Sequence, residues 1–287
     1  MISFAVPLLP CGICVFIMHH GDRFFLLRNV SSSDIGIYSL GYKLGMVAKL
    51  LSLTPLYMVW SSRMYSVARN PEAAITFGRN ITNILVAYMF VSLPLSLFAR
   101  EVILVMGGGQ QYVAAAAMVA PVVLACFFQS AATLMDAGFY LKRQMPLKMK
   151  LTLFCTGIIV LCYSLMIPLW GIWGALAATV IGFGCLALQT FLVAQKIFPI
   201  TFEWDRVAGY LGLAVGLWAT GHCLPTGGLW IPAKVFVVLL FPFLSWHFGF
   251  VREDEKVEVG NALARILSQM QNWIRAGEKK PTPIELP

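Results

Sequence analysis

The feature that most constrains this chain is a series of apolar runs, each long enough to cross a bilayer as one helix. The runs lack the alternation of polar and apolar residues that a membrane barrel of strands requires, which excludes that architecture. The sequence is 59% hydrophobic and only 12% charged, which also excludes an ordinary soluble domain. We therefore predict an all-α, polytopic membrane bundle of about eight transmembrane helices, at residues 2–20, 35–60, 81–99, 112–135, 151–168, 172–194, 207–223 and 229–250.

The basic residues alternate between the loops that join these runs. Residues 252–287 carry equal numbers of acidic and basic side chains, so the net charge of +8 lies in residues 1–250. There, the loops at 61–80, 141–150 and 195–206 are basic. By the positive-inside rule these loops are cytoplasmic, and with eight runs both termini are cytoplasmic as well. Arg23 and Arg28 break the pattern, and either lie on the outer side or line an internal surface of a longer first helix.

A lysine in the middle of the second run points to transport. Lys49 lies about 20 Å along a helix that begins near Ile35, close to the centre of a hydrocarbon layer about 30 Å thick. A lysine at that depth costs about 2.5–3.5 kcal/mol on insertion scales, so lipid is an unfavourable surrounding for it. Lys49 is therefore expected to face other protein or a water-filled cavity. A cation in such a cavity indicates passage of something anionic.

Two tyrosines and a second lysine accompany Lys49 on this run. Tyr38, Tyr42 and Lys49 share one face of the helix, and Lys43 lies on the adjoining face. We interpret the two lysines as attracting an anionic headgroup and the tyrosines as contacting a sugar or a ring. The alternative is that each lysine pairs with a buried acid or, for Lys43 above all, extends to the membrane interface.

Two acidic residues at the ends of predicted spans are candidates for gating or ion pairing. Asp22 and Arg23 follow the first run, and form either a gating pair in the cavity wall or an interfacial cap. Asp136 ends the fourth run, six residues before Lys142. This position favours a salt bridge at the interface over a proton relay.

The sequence contains no pattern typical of a metal site or a catalytic centre. His19 and His20 are adjacent and point in different directions, which suits a metal poorly. Cys11 and Cys14 have metal-site spacing, but no second pair accompanies them, which favours a packing role. Phosphate loops, serine elbows and nucleic-acid modules are missing from the sequence. We expect a protein that is not an enzyme, without a metal, a cofactor or a nucleic-acid partner.

The two ends of the chain carry further expectations. Within residues 251–287, Val259, Leu263, Leu267 and Met270 recur at helical spacing, which predicts an amphipathic helix on the cytoplasmic surface or, alternatively, against a partner. At the other end, the first run follows Met1 at once, and no internal repeat is evident. Because many transporters consist of two similar halves, we expect one half plus extra helices, with the other half on a second chain or lost by truncation.

Three segments carry a family resemblance when they are taken in order. They are Gly21-Asp-Arg-Phe-Phe-Leu-Leu27, Asp34-Ile-Gly-Ile-Tyr-Ser-Leu-Gly-Tyr-Lys-Leu44 and Met166-Ile-Pro-Leu-Trp-Gly-Ile-Trp-Gly-Ala-Leu-Ala-Ala-Thr179. The first two read as an Asp-Arg helix end and the start of the next helix, and the third as a turn between two spans. In order and spacing, residues 1–200 resemble the oligosaccharide-lipid flippases of the multidrug/oligosaccharidyl-lipid/polysaccharide exporter superfamily.

The resemblance implies a fold of two six-helix lobes around a cationic cavity, followed in many members by two further helices. Residues 1–200 then correspond to the second lobe, 201–250 to the two additional helices, and 251–287 to the cytoplasmic amphipathic helix and tail. The first lobe is missing from this chain, so half of the cavity wall is absent, and either a second chain supplies it or the gene is truncated.

The implied activity is movement of a polyprenyl-pyrophosphate-linked oligosaccharide from the inner to the outer leaflet by alternating access. The implied location is the bacterial inner (plasma) membrane, in lipopolysaccharide or exopolysaccharide biosynthesis, with membrane lipids around the bundle. Arg23, Lys43 and Lys49 would then meet the pyrophosphate or acidic sugars. No cofactor is implied beyond an ion gradient.

Three rival interpretations stay open. A cation-coupled multidrug antiporter of the same superfamily usually needs a membrane-embedded acid, and only Asp22 and Asp136 are candidates, both near span ends. A membrane enzyme of polysaccharide assembly usually carries a long polar outer loop, whereas the predicted outer loops are short. The third interpretation is a non-functional, truncated lobe.

Overall fold

A computed structural model of the chain describes residues 8–107, 109–223 and 230–249. These residues form helices and turns, and the described ranges contain no strand, which confirms the all-α prediction for them. In chain order the elements are α1 (Leu8–His20), α2 (Asp22–Asn29), α3 (Ser32–Val67), α4 (Ala73–Leu97), α5 (Ala99–Val105), a 3₁₀ helix (Gln110–Ala115), α6 (Ala116–Met135), α7 (Ala137–Leu141), α8 (Met145–Ile197), α9 (Trp204–His222) and α10 (Ile231–His247). The amphipathic helix predicted within 251–287 lies outside the described residues.

Four helical ranges are long and apolar enough to cross a membrane: Ser32–Val67, Ala73–Leu97, Gln110–Leu141 and Met145–Ile197. The predicted count of about eight spans is not supported by this measure. Helix α9 has 19 residues but is not among these four ranges. Helix α10 has 17 residues, and α1 has 13 in its described part. Large apolar side chains such as Phe154, Leu188 and Phe236 point outward from their helices. This exterior is compatible with a membrane location.

Helix α8 is a hairpin of two antiparallel arms. Its 53 residues are interrupted at Gly171, whose φ of 54° and ψ of −127° reverse the chain in a region that favours glycine. Across the arms, the Tyr163 and Thr179 hydroxyls lie 3.1 Å apart, and the Cys155 thiol donates to Gln189 Oε1 at 2.8 Å. The sequence-based prediction of two apolar segments joined by a short turn between residues 168 and 172 agrees with this geometry.

Helix α3 begins at a capped end and packs closely on α6. The Ser31 hydroxyl accepts a hydrogen bond from the Asp34 backbone N–H at 3.2 Å, which satisfies one free donor of the first turn. The spacing Gly41-x-x-x-Gly45 predicts close approach of another helix, and this is confirmed. A Cβ at Gly45 would lie 2.6 Å from Val122 of α6, so only glycine permits this distance between the two helices.

Helix α6 is the central element of the bundle. Its most extensive packing is with α8 and α3, and it also contacts α4. Helix α1 packs on α8, and α9 packs on α4. Two compact units are distinguished, Met1–Phe241 and Pro242–Pro287. The described part of the second unit, residues 242–249, contains the last turns of α10, where the Phe243 and His247 rings are stacked 6.4 Å apart.

A buried lysine fixes the start of α10 against α4 and α5. Lys234 is only 5% exposed, and its ammonium donates to Glu101 Oε1 at 2.5 Å and to the Leu97 carbonyl at 3.3 Å. The ion pair supplies the charge partner that a buried ammonium needs. Lys234 is therefore an anchor between elements of the first unit.

Candidate functional site

A polar cavity of about 440 Å³ lies between α1, α3, α6, α7 and both arms of α8. Small and apolar residues, among them Gly12 and Leu186, form part of its wall. The remaining wall carries an unusual concentration of polar groups for the interior of an apolar bundle, namely Lys49, Tyr57, Gln129, Asp136, Tyr140 and Lys148. Ionisable groups inside a membrane bundle face a cavity or each other, so this is the first candidate for a functional site.

Lys49 reaches the cavity from the middle of α3. Its ammonium donates to Gln129 Oε1 at 2.6 Å. Within the described ranges, the ion pairs of the bundle do not include Lys49. The buried-acid alternative is thus not realised there, and the charge of Lys49 is balanced only by an amide dipole. Lys49 was expected to face other protein or a water-filled cavity, and it contacts Gln129 and lines the polar cavity.

The acidic residue of the cavity pairs with a lysine that the sequence placed in a loop. Lys148 Nζ lies 2.5 Å from Asp136 Oδ2 and 3.4 Å from the Tyr140 hydroxyl. The salt bridge expected at Asp136 is present, but its partner is Lys148, whereas Lys142 is exposed just after α7. The reason is the backbone at Arg143, where a φ of 53° turns the chain and lays the first turn of α8 against Asp136.

These contacts give the cavity a net positive charge. Lys49 and Lys148 contribute two cations, and Asp136 contributes one anion. Because the carboxylate is already paired with Lys148, the Lys49 charge is the one left over. The site is therefore complementary to an anion.

Two buried residues that the sequence did not single out for this site connect Lys49 to the rest of the bundle. His19 and Gln129 are 7% and 5% exposed. Gln129 Nε2 lies 2.6 Å from His19 Nε2, and His19 Nδ1 lies 2.8 Å from the Tyr42 hydroxyl. A glutamine inside an apolar run is a detectable signal, whereas His19 was considered only as a metal ligand. Across the described residues, no group of acidic, histidine and cysteine side chains could hold a metal.

The predicted gating residues form a neighbouring cluster. Asp22 is fully buried and accepts hydrogen bonds from the Tyr38 hydroxyl and, at 2.8 Å, from the Arg23 backbone N–H. The Arg23 guanidinium lies 3.7 Å from Asp22 Oδ1 and 5.4 Å from the centre of the Tyr42 ring. The Arg23 side chain is 26% exposed, so it is the member of this cluster that an outside group can reach.

The structure brings some of the predicted site residues together and separates others. Lys49 and Asp136, which the sequence assigned to different roles, line the same cavity. Tyr38 and Tyr42 are buried in the packed interior next to it. Lys43 is exposed on another face of α3 and is not among the residues of the cavity wall.

A second cavity, of about 310 Å³, lies between α4, α6, α8 and α9. Its wall is formed by aromatic and aliphatic side chains with two serines, and it carries no ionisable group other than the phenol of Tyr88. The Tyr88 hydroxyl donates to the Val123 carbonyl at 2.7 Å. This cavity offers hydrocarbon surface and no charge.

Comparison with known proteins adds no identification to this geometry. No family model, no curated protein and no solved structure matches the chain.

Proposed function

We propose that this chain is a flippase, or one lobe of a flippase, that moves a polyprenyl-pyrophosphate-linked oligosaccharide across the bacterial inner membrane for lipopolysaccharide or exopolysaccharide biosynthesis. The observation that carries the proposal is Lys49, a cation in the middle of an apolar helix, without a carboxylate partner in the described residues, facing a cavity of about 440 Å³. Such a charge is costly in a membrane and is retained where it binds or moves an anion. The three sequence segments quoted above support the oligosaccharide-lipid class.

In this proposal the diphosphate binds at the cavity through Lys49 and Lys148. Ammonium groups bind phosphate as point charges, and charge-assisted hydrogen bonds are about twice as strong as neutral ones. Lys148 exchanges its contact with Asp136 for a phosphate oxygen as the anion enters. Arg23 guides the headgroup from its half-exposed position, and the Tyr57 and Tyr140 rings offer surfaces for a sugar.

The proposal also assigns an architecture. Residues 1–200 act as the second lobe and residues 201–250 as two additional transmembrane helices. The eight spans are α1, α3, α4, α6, the two arms of α8, α9 and α10, with both termini in the cytoplasm. In this proposal a first lobe completes the transporter.

The test is a comparison of two lysine variants in host cells that lack the chromosomal gene. Lys49→Met keeps the side-chain volume but removes the charge, and Lys43→Met does the same on an exposed face of the same helix. Polyprenyl-linked oligosaccharides are quantified by mass spectrometry, and protein levels in the membrane are matched. With Lys49→Met, completed lipid-linked oligosaccharide accumulates and transport falls about tenfold or more, the loss expected from one charge-assisted contact.

The outcomes separate the proposal from its rivals. Full transport with Lys49→Met removes the main support for the proposal. A loss of transport confined to Lys43→Met indicates that the anion binds at the exposed face of α3, and it overturns the assignment of the anion site to the cavity. Accumulation of unpolymerised units already at the outer leaflet indicates an enzyme of polysaccharide assembly. No change on gene deletion indicates a remnant or a drug antiporter.

A cation-coupled antiporter is the second candidate, because Asp136 is a carboxylate in the wall of the polar cavity. In that case Asp136→Asn abolishes ion-driven drug efflux from cells, while Lys49→Met leaves efflux intact. In the flippase proposal, Lys49→Met causes more lipid-linked oligosaccharide to accumulate than Asp136→Asn does.

A further inference from the structure

The hydrogen-bond chain from Lys49 to Tyr42 allows only one arrangement of donors. An ammonium donates and never accepts, so Gln129 must present its oxygen to Lys49. The amide nitrogen then faces His19 Nε2, which has to accept. His19 consequently carries its proton on Nδ1 and donates to the Tyr42 hydroxyl.

A second proton on His19 is incompatible with this arrangement. Protonation would place an N–H on His19 Nε2 against the N–H₂ of Gln129, donor against donor, at 2.6 Å. The amide can accept from His19 only if it turns over. Its nitrogen then faces Lys49, where an ammonium already donates. Because Lys49 and His19 contact opposite ends of the amide, its oxygen can lie beside one of them but not beside both.

We propose that Gln129 makes a protonated His19 and a Gln129-bound Lys49 ammonium mutually exclusive, so that His19 is a proton-binding site whose occupation releases Lys49 into the polar cavity. The proton binds at His19 Nε2, the amide of Gln129 turns over, and its oxygen accepts from the new N–H. The Lys49 ammonium then leaves the amide and enters the cavity that it lines. The inference concerns protonation of the bundle and holds whichever solute the cavity takes.

The surroundings of His19 leave Gln129 as the acceptor for the added proton. Among the described residues, no carboxylate contacts the ring. Asp22, the nearest acid along the chain, is engaged by Tyr38 and Arg23. The groups near His19 on the packed elements are His20 of α1, Arg23 of α2, Tyr42 and Lys49 of α3, Gln129 of α6, and Phe183 of α8.

The experiment measures His19 directly in the full-length chain. The protein is labelled with ¹³C and ¹⁵N histidine and reconstituted in lipid nanodiscs, and the His19 signals are assigned by comparison with a His19→Asn variant. The ¹⁵N shifts at neutral pH are expected to report the tautomer with the proton on Nδ1. In Lys49→Met, the pH of half-protonation of His19 is expected to rise by about one unit or more, a tenfold gain in proton affinity, and to stay unchanged in Lys43→Met.

A double-mutant cycle separates the amide from simple charge repulsion. In the Gln129→Leu background, Lys49→Met removes the same charge, but no amide links the two residues. The inference requires the shift caused by Lys49→Met to shrink to a small remainder in this background. An equal shift in both backgrounds shows that repulsion alone couples the residues, and overturns the inference.

A second variant keeps the test decisive if Gln129→Leu does not fold. Gln129→Glu offers two acceptor oxygens, so it accepts from Lys49 and from a protonated His19 together. His19 is then expected to be doubly protonated at neutral pH while Lys49 is still present. A neutral His19 in Gln129→Glu, or the opposite tautomer in the unmodified chain, contradicts the inference.

Discussion

The two halves of helix α6 border cavities of opposite character. Its earlier part, from Ala120 to Phe127, lines the apolar cavity of about 310 Å³. Its last two turns, from Gln129 onward, and Asp136 just after its end line the polar cavity of about 440 Å³. The change takes place within a helix of 20 residues, about 30 Å in length.

The difference between the halves comes from their neighbours as much as from α6 itself. The apolar cavity is closed by α4 and α9, which contribute Met89, Leu93 and Leu211. The polar cavity receives Lys49 from α3 and Lys148 from the start of α8. The charged groups that border α6 are therefore concentrated around its last turns, where they contact each other.

The largest expected effect comes from placing the same charge in each half of α6. Ala120 lines the apolar cavity and Ala132 lines the polar one, so Ala120→Asp and Ala132→Asp form a matched pair. Ala120→Asp is expected to lower the free energy of unfolding by about 4 kcal/mol, because a carboxylate there has no partner. Ala132→Asp is expected to cost about 2 kcal/mol less, since two lysines line that cavity. Detergent titration in mixed micelles measures the free energy of unfolding of both variants. Equal losses would show that the two cavities do not differ in how well they stabilise a carboxylate.

A smaller effect is expected when the ion pair of the polar half is broken. Asp136→Asn leaves the Lys148 ammonium, with a side chain only 16% exposed, without its carboxylate. The expected loss is about 3 kcal/mol in the free energy of unfolding, because an uncompensated charge stays buried. The combined variant Asp136→Asn with Lys148→Met should recover more than half of it.

The control for this prediction is Lys142→Met, which removes an exposed lysine near the same turn. Its effect should stay within about 0.5 kcal/mol. A loss in Lys142→Met as large as that in Asp136→Asn would restore Lys142 as the partner that the sequence suggested.

The smallest expected effect comes from the contact between α3 and α6. In Gly45→Ala, the added methyl carbon would lie 2.6 Å from Val122, so the helices have to separate. We expect a loss of about 2 kcal/mol, typical of overpacking. Gly36→Ala, on the same helix with no atom within 4 Å of the added carbon, should be neutral or slightly stabilising. The same unfolding titration compares them, and a neutral Gly45→Ala would mean that this contact does not hold α3 and α6 together.

The sequence predicted local features well. The apolar runs at 35–60, 81–99 and 112–135 lie within or nearly within α3, α4 and the range that contains α6, and the turn near Gly171 was expected from the short gap between two runs. Lys49 and Asp136 were each singled out as unusual polar residues in or near spans. These features depend on hydrophobicity and spacing along one stretch of chain.

What the sequence did not predict depends on contacts between distant stretches. Lys148 was counted with a basic loop, and only the turn at Arg143 brings it to Asp136. His19 and Gln129 lie 110 residues apart, so their contact follows from how α1 and α6 pack. Such contacts depend on how all the helices are arranged in three dimensions, which the periodicity of the sequence does not specify.

The tight reversal at Gly171 has a consequence for how the chain enters its membrane. The residue is flanked by Trp170 and Trp173, which are 61% and 55% exposed, and the segment 168–174 carries no charge. During synthesis, the two arms of α8 can partition into the bilayer as one helical hairpin, and no hydrophilic stretch has to be translocated between them. Indole rings favour the headgroup region, so Trp170 and Trp173 suit a reversal that lies at a membrane surface. A single glycine with a positive φ thus allows two apolar segments to insert into a membrane together.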